Sequence, residues 1–298
     1  MIELLIVLGI IALLVGLLVP ALSTVRNMAR ETKQKAQLTT IEMALAAFKN
    51  DYGDYPPSDP FSWLADTQEA QNYCGSQKLA EALLGWDLLG FHPDSGWRAD
   101  GTNRRPHRDP VNTGVIHPPG QYFLYNPNSA VDMDKRKGRY LELETANAFR
   151  LGSSAPNVRD GLYADTGPLA PETFVLCDVF GSRKVMMPNG TTAQAGVPIL
   201  YYKANISGKQ ILDIYHMADN DYLVFIKEQA DLLENPLGPG ERPPRNPLAG
   251  DVGWFENYIA DPRVTARPWP YKPDSYILIS AGADGLYGTP DDITNFGN

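Results

Sequence analysis

A chain of 298 residues with a formal net charge of −9 and a sequence pI near 5.0 is long enough for one large domain or two small ones, and its acidic balance argues against a nucleic-acid partner. The 43% hydrophobic content suits a folded protein but is unevenly spread, because the first nineteen positions are apolar except for Glu3, Gly9 and Gly16. Two cysteines, Cys74 and Cys177, leave two readings open: one disulfide closing a long loop in an exported protein, or two buried free thiols.

Leu4 to Val19 carries no charge and no strong hydrogen-bonding side chain. With Met1 and Ile2 it approaches the ~20 residues that cross a bilayer core as a helix, so residues 1–19 are predicted to be transmembrane. A cleaved secretory signal is disfavoured, since no basic region precedes the run and no small-residue cleavage site follows it. Past Pro20, the apolar residues Leu22, Val25, Met28, Ala29, Ala36, Ile41, Ala44, Leu45, Phe48 and Tyr52 recur mostly three and four apart, the period of an amphipathic helix. One helix is therefore expected from about Ile2 to Asp51, stopped by Gly53 and the pair Pro56-Pro57. At 1.5 Å per residue, such a rod is about 75 Å long, a shape that serves helix-on-helix packing better than catalysis.

Two residues break local rules within the rod. Glu3 places a carboxylate in an apolar segment, where it is costly unless neutralised or paired. Pro20 removes one helix hydrogen bond and invites a kink, and Gly9 and Gly16 loosen the helix further. The bias of basic residues toward the cytoplasm would place Arg26, Arg30, Lys33 and Lys35 on that side.

The segment MIELLIVLGIIALLVGLLVPAL resembles the N-terminus of type IV pilins and type II secretion pseudopilins, whose glutamate and proline have the separation of Glu3 and Pro20. FKNDYGDYPP, from Phe48 to Pro57, resembles the helix exit of the major pseudopilins. The resemblance implies an α+β protein: a helix over residues 1–54, packed on an antiparallel β-sheet head over 55–298. It also implies that a leader and the first mature residues precede Met1, and that the basic residues after Pro20 lie outside the cytoplasm.

Residues 58 to about 170 are rich in Pro, Gly, Asp and Asn, and exceed what such a head ordinarily carries, so they are read as an insertion. Within them Leu79 to Leu89 is a short-helix candidate, and His92 to Gly120 reads as a long loop. Phe174 to Asp178 and Lys184 to Met187 flank Gly181-Ser182 like a hairpin. Ile199 to Lys203 and Tyr276 to Ser280 read as strands, whereas Tyr222 to Ile226 fits strand or helix. Asn235 to Pro247 is too proline-rich for a regular element.

The chain closes on YILISAGADGLYGTPDDITNF, in which Asp284, Asp291 and Asp292 share a glycine-bearing loop. Three carboxylates on a turning loop supply the oxygen chemistry of Ca²⁺, although the EF-hand spacing is absent and, taken alone, the run is better explained as an Asp-Gly turn. The loop, over 281–292, resembles the calcium loop of major pseudopilins. The resemblance implies calcium held by the side chains of Asp284, Asp291 and Asp292 and by the carbonyls of Ala281 and Leu286.

No catalytic motif is present, so no catalytic residue is assigned. Of the four histidines, His92, His107 and His117 fall in one loop region, but their spacing, like that of His216, matches no tight zinc motif. The expected function is a structural subunit of a bacterial type IV pilus-like or type II secretion pseudopilus filament, not an enzyme. The resemblance implies its partners: copies of itself, other pilins or pseudopilins, the inner-membrane assembly platform and a leader peptidase. It further implies that the helix stands in the inner membrane before assembly, that the head is periplasmic or extracellular, and that Glu3 neutralises a neighbour's terminal amine. The competing readings are a membrane-anchored binding protein or enzyme working through the insertion, and a minor pilin with an adhesive head.

Overall fold

A computed structural model describes residues 2–63, 69–109, 114–153, 160–187, 190–234 and 246–297, with the side chains at 2–6, 8, 10, 17–21, 23, 63, 69 and 232–234 outside the description. The first element is a single helix, α1 (Ile2–Tyr52), of 51 residues, as the apolar spacing predicts. It stops where Gly53 turns left-handed at φ +86° and its N–H returns to the Lys49 carbonyl at 2.7 Å.

The elements that follow are short: β1 (Ser62–Trp63), β2 (Glu69–Ala70), α2 (Gly75–Leu84), β3 (His107–Arg108), β4 (Ile116–His117), α3 (Ala130–Asp134), α4 (Leu143–Ala146) and β5 (Ala148–Arg150). Then come β6 (Phe174–Leu176), β7 (Arg183–Met186), β8 (Thr192–Ala195), β9 (Leu200–Lys203), α5 (Ile211–Ile214), α6 (Asp221–Glu234), α7 (Val252–Ile259), β10 (Tyr276–Ser280) and β11 (Ile293–Thr294). The result is a mixed α+β head of small antiparallel sheets beside the N-terminal helix.

The largest sheet has the order β11-β10-β9, with Leu278 opposite Tyr201 and Ile277 opposite Tyr202. Strand β10 is buried on both faces, and its alternation divides the core. Leu278 and Tyr276, with Tyr201 of β9, pack against Ile41, Leu45 and Phe48 of α1 and Leu79 and Leu83 of α2. Ile277 and Ile279, with Leu200 and Tyr202, face a second cluster containing Phe255 of α7 and Tyr287. Helix α2 is buried along its whole length between α1 and the strands. It approaches β9 so closely that a Cβ on Gly75 would stand 2.3 Å from the Tyr201 carbonyl oxygen.

Several local expectations are corrected. The strands around Gly181-Ser182 do not pair with each other; β6 joins β5, with Val175 opposite Phe149, and β7 joins β8, with Val185 opposite Ala193. Asp178 Oδ1 accepts the N–H groups of Phe180 and Val197, turning the chain between the two ribbons. The helix predicted at Leu79 to Leu89 occupies Gly75–Leu84 instead, and Tyr222 to Ile226 is helical, within α6. The predicted loop from His92 to Gly120 contains the two-stranded ribbon β3–β4. Residues 235–245 of the proline-rich run lie outside the described residues.

Candidate functional site

Helix α1 divides at Gln34. From there on it is stitched to the head: Gln34 Oε1 accepts the Val179 N–H at 2.9 Å, and Gln37 Nε2 donates to the carbonyls of Cys177 at 3.0 Å and Thr145 at 3.1 Å. Leu38, Ile41, Ala44, Leu45 and Phe48 then enter the core. Before Gln34 the described side chains are exposed, and Val7, Ile11, Leu13, Leu14, Val15, Leu22, Val25 and Met28 are 50–66% accessible. An apolar surface on all sides of a helix is a surface that other helices or lipid must cover.

Glu3 and Pro20 both lie on α1, and their side chains are outside the description. Among the described residues no helix is long and apolar enough to cross a membrane. The membrane expectation for 1–19 rests largely on side chains outside that description.

The C-terminal loop is ordered by its own carboxylates. Asp291 Oδ2 accepts the N–H groups of Ala283 at 2.8 Å and Asp284 at 2.9 Å, and Asp284 Oδ1 accepts that of Leu286 at 2.7 Å. Asp292 Oδ2 accepts the Gly288 N–H at 2.7 Å and the Tyr258 hydroxyl of α7. Gly282, at φ +65°, permits this closure, because a Cβ there would meet the Asp291 carbonyl oxygen at 2.3 Å. Burial and the facing Asp291 charge raise the Asp284 carboxyl above the usual range. Burial also opposes ionisation of Asp291, but the Thr289 hydroxyl and the loop N–H groups outweigh it and hold its carboxyl low. Burial pushes Asp292 up to about 6 against those two donors.

The fit to a cation is partial. Asp284 and Asp291 stand within hydrogen-bonding range of each other, whereas Asp292 is turned to Tyr258 and the Leu286 carbonyl accepts the Thr289 hydroxyl at 3.2 Å. Ala281 is buried at the end of β10. Among the described residues no three His, Cys, Asp or Glu side chains gather as a metal-holding group.

The structure also brings together residues that the sequence left apart. His92 Nε2 and His107 Nε2 face Asp132 Oδ1 at 3.8 and 3.4 Å, and the Tyr122 hydroxyl donates to Asp132 Oδ2 at 2.8 Å. His92 Nε2, His107 Nε2 and Asp132 Oδ1 are buried without a hydrogen-bond partner. His92 Nδ1 accepts the Asp94 N–H at 3.2 Å, which leaves the proton of a neutral ring on Nε2. That tautomer turns a ring N–H toward Asp132, beyond hydrogen-bond range at 3.8 Å, and leaves that nitrogen no lone pair for a metal. Burial drives His92 down to about 4 and, with the nearby Lys135 charge, lowers His107. Asp132 lies far along the chain from both histidines, and no spacing rule connects them.

In the structure Cys74 and Cys177 are free thiols, both buried in one core cluster. They serve different parts of the fold. Cys74 precedes α2 and its N–H meets Gln77 Oε1 at 2.9 Å, while the Cys177 carbonyl receives Gln37 of α1.

The chain is 36% identical over 94 residues to the type II secretion system core protein G of Escherichia coli (strain K12). The match takes in 29% of this chain and spans 58% of that relative's length. No family model matches the chain, and no solved structure matches it. The likeness to a secretion-system protein supports a pilin-like reading of the chain.

Proposed function

We propose that this protein is a structural subunit of a type II secretion pseudopilus or a related pilus filament, assembling through its N-terminal helix and performing no catalysis. The observation that carries the reading is the division of α1: its C-terminal half is built into the head, and its described N-terminal half presents apolar side chains with no cover of its own. The partial likeness to a type II secretion core protein points the same way. Before assembly, residues 1–19 anchor the chain in the bacterial inner membrane with the head outside the cytoplasm. In the filament, neighbouring helices replace the lipid, and Glu3 neutralises a neighbour's terminal amine. The partners are further copies, other pseudopilins and the assembly platform. A calcium ion in loop 281–292 belongs to the same proposal, supported by the facing Asp284 and Asp291 carboxylates.

The test is expression in a bacterium that retains type II assembly machinery but lacks its own core pseudopilin, with Leu13→Cys as a cross-linking probe on an exposed helix position. Filaments, and oxidised ladders of increasing size, are expected. A chain that stays monomeric at every expression level overturns the reading.

A further inference from the structure

Where α1 leaves the head, its exit loop and the β9–β10 edge enclose a cleft of about 360 Å³ lined by Asp54, Asp59, Asp219 and Asp274 with Lys203 and His216. Lys203 pairs with Asp54, and the buried Lys78 pairs with Asp59 at 2.9 Å. Asp274 is exposed and makes no ion pair among the described residues. Asp219 is buried and accepts the Ser58 hydroxyl. With Asp54 and Asp59 each paired to a lysine and Asp219 buried on Ser58, Asp274 is the exposed, unpaired carboxylate of the cleft, with Ile206 at its rim, 78% exposed.

The same chain carries the complement. Arg26, Arg30 and Lys33 lie on α1 just before it joins the head, all exposed and without an ion pair among the described residues. At 100° per residue they fall within about 60° of the helix circumference, with Leu22 and Val25 on one flank and Glu31 on the far side. A basic stripe edged by apolar side chains matches an acidic cleft edged by an exposed isoleucine. Within one chain the two cannot meet, because the helical rise from Arg30 to the cleft is about 35 Å, several times an arginine's reach. A parallel copy displaced along the rod by that distance brings them level.

We propose that the Arg26–Arg30–Lys33 stripe of one copy docks in the Asp54–Asp59–Asp219–Asp274 cleft of another copy along the filament. This rests on the filament reading above and gives these cations, which that reading places outside the cytoplasm, a use there.

The test measures the critical concentration for filament formation by sedimentation, with full-length chain. Arg30→Glu and Asp274→Arg should each raise it about tenfold, and the double variant should return it to within about threefold of the parent. Added salt should raise it for the parent and much less for either single variant. Arg30→Cys with Asp274→Cys should give oxidised ladders. Should Asp274→Arg melt below the parent, Asp274→Asn replaces it, with a smaller rise expected. Parent filaments that form normally, with unchanged thresholds in both single variants and no ladder, overturn the docking and leave the filament reading standing. A parent chain that forms no filament overturns both.

Discussion

Lys272 Nζ donates to Glu42 Oε1 at 2.8 Å, and the same oxygen accepts Asn295 Nδ2 at 2.9 Å. Glu42 lies on α1, Lys272 just before β10 and Asn295 just after β11, so one carboxylate joins the long helix to both ends of the C-terminal segment. The pair is about one-third exposed on each side, which limits the Coulomb contribution, but Asn295 adds a neutral hydrogen bond. Glu42→Ala is expected to destabilise the head by about 1–2 kcal/mol in urea denaturation, and Lys272→Met by less. An unchanged midpoint for Glu42→Ala would show that the C-terminal segment is held without it.

The cysteines give a chemical test of the core. Burial pushes the Cys74 thiol up to about 12 and the Cys177 thiol well above its usual range, so both are protonated and poor nucleophiles at neutral pH. Neither should react with a thiol reagent in the native protein, and both should react once it is unfolded in denaturant. A native protein with no titratable thiol even after unfolding would show that the disulfide forms.

How much could be read beforehand depended on how local each signal was. The spacing of Ile41, Ala44, Leu45 and Phe48 and the stop at Gly53 are properties of neighbouring residues, and they predicted α1 almost to its end. The β-branched and aromatic runs at Tyr201 and Ile277 likewise marked the paired strands β9 and β10. Helix α2 is buried on every side, so it lacks the one-sided pattern that fixes helix boundaries. The partners of β6 and β7 were misread because three- and four-residue strands carry little register information and Asp178 decides the turn from a distance. In the C-terminal loop the carboxylates were visible in the sequence, but the hold of Tyr258 on Asp292 was not, since α7 reaches the loop only through tertiary packing.

Glu3→Ala should leave the head folded and impair assembly. The motive is a lone carboxylate in an apolar run, where an unpaired charge is costly and a partner is the usual remedy. Head stability, read by thermal melting, should match the parent, while filament yield should fall at least tenfold by shearing and sedimentation. Normal yield would remove Glu3 from the assembly surface.

His92 predicts a sign for pH. Its folded-state value, about 4, lies below the 6.5 of an unperturbed histidine because burial opposes the charged ring. The unfolded chain therefore binds the proton first on acidification, so the contribution is complete above about pH 6.5 and lost as pH falls toward 4. Buried Asp178 and Asp219, both raised to about 7, act oppositely, favouring the fold at low pH and losing that contribution as pH rises. The comparison must therefore be made by difference. Relative to His92→Asn, which keeps an acceptor for the Asp94 N–H, the parent should lose up to about 3 kcal/mol of stability between pH 6.5 and 4. A difference that is flat with pH would contradict burial of a neutral ring.

Calcium is the remaining test, and it concerns the loop that closes the chain. With no cation, Asp284 and Asp291 face each other so closely that one is favoured in its protonated form and the other in its ionised form. A divalent cation between them replaces that repulsion with attraction and favours ionisation of both. Asp292 would join only by loosening from Tyr258, and the carbonyls of Ala281 and Leu286 are the remaining oxygens in the proposed set. Because the unfolded chain does not hold these groups together, binding adds to stability by mass action, about 2.7 kcal/mol at a free calcium concentration one hundred times the dissociation constant. Calcium should therefore raise the melting temperature, a chelator should lower it and expose the C-terminus to carboxypeptidase, and Asp284→Ala should abolish the response. Tyr258→Phe separates the two roles of Asp292, since freeing its carboxylate should tighten calcium binding while costing some stability without calcium. Melting that is indifferent to both calcium and chelator would leave loop 281–292 as a turn held by its own hydrogen bonds, with the assembly role of α1 untouched.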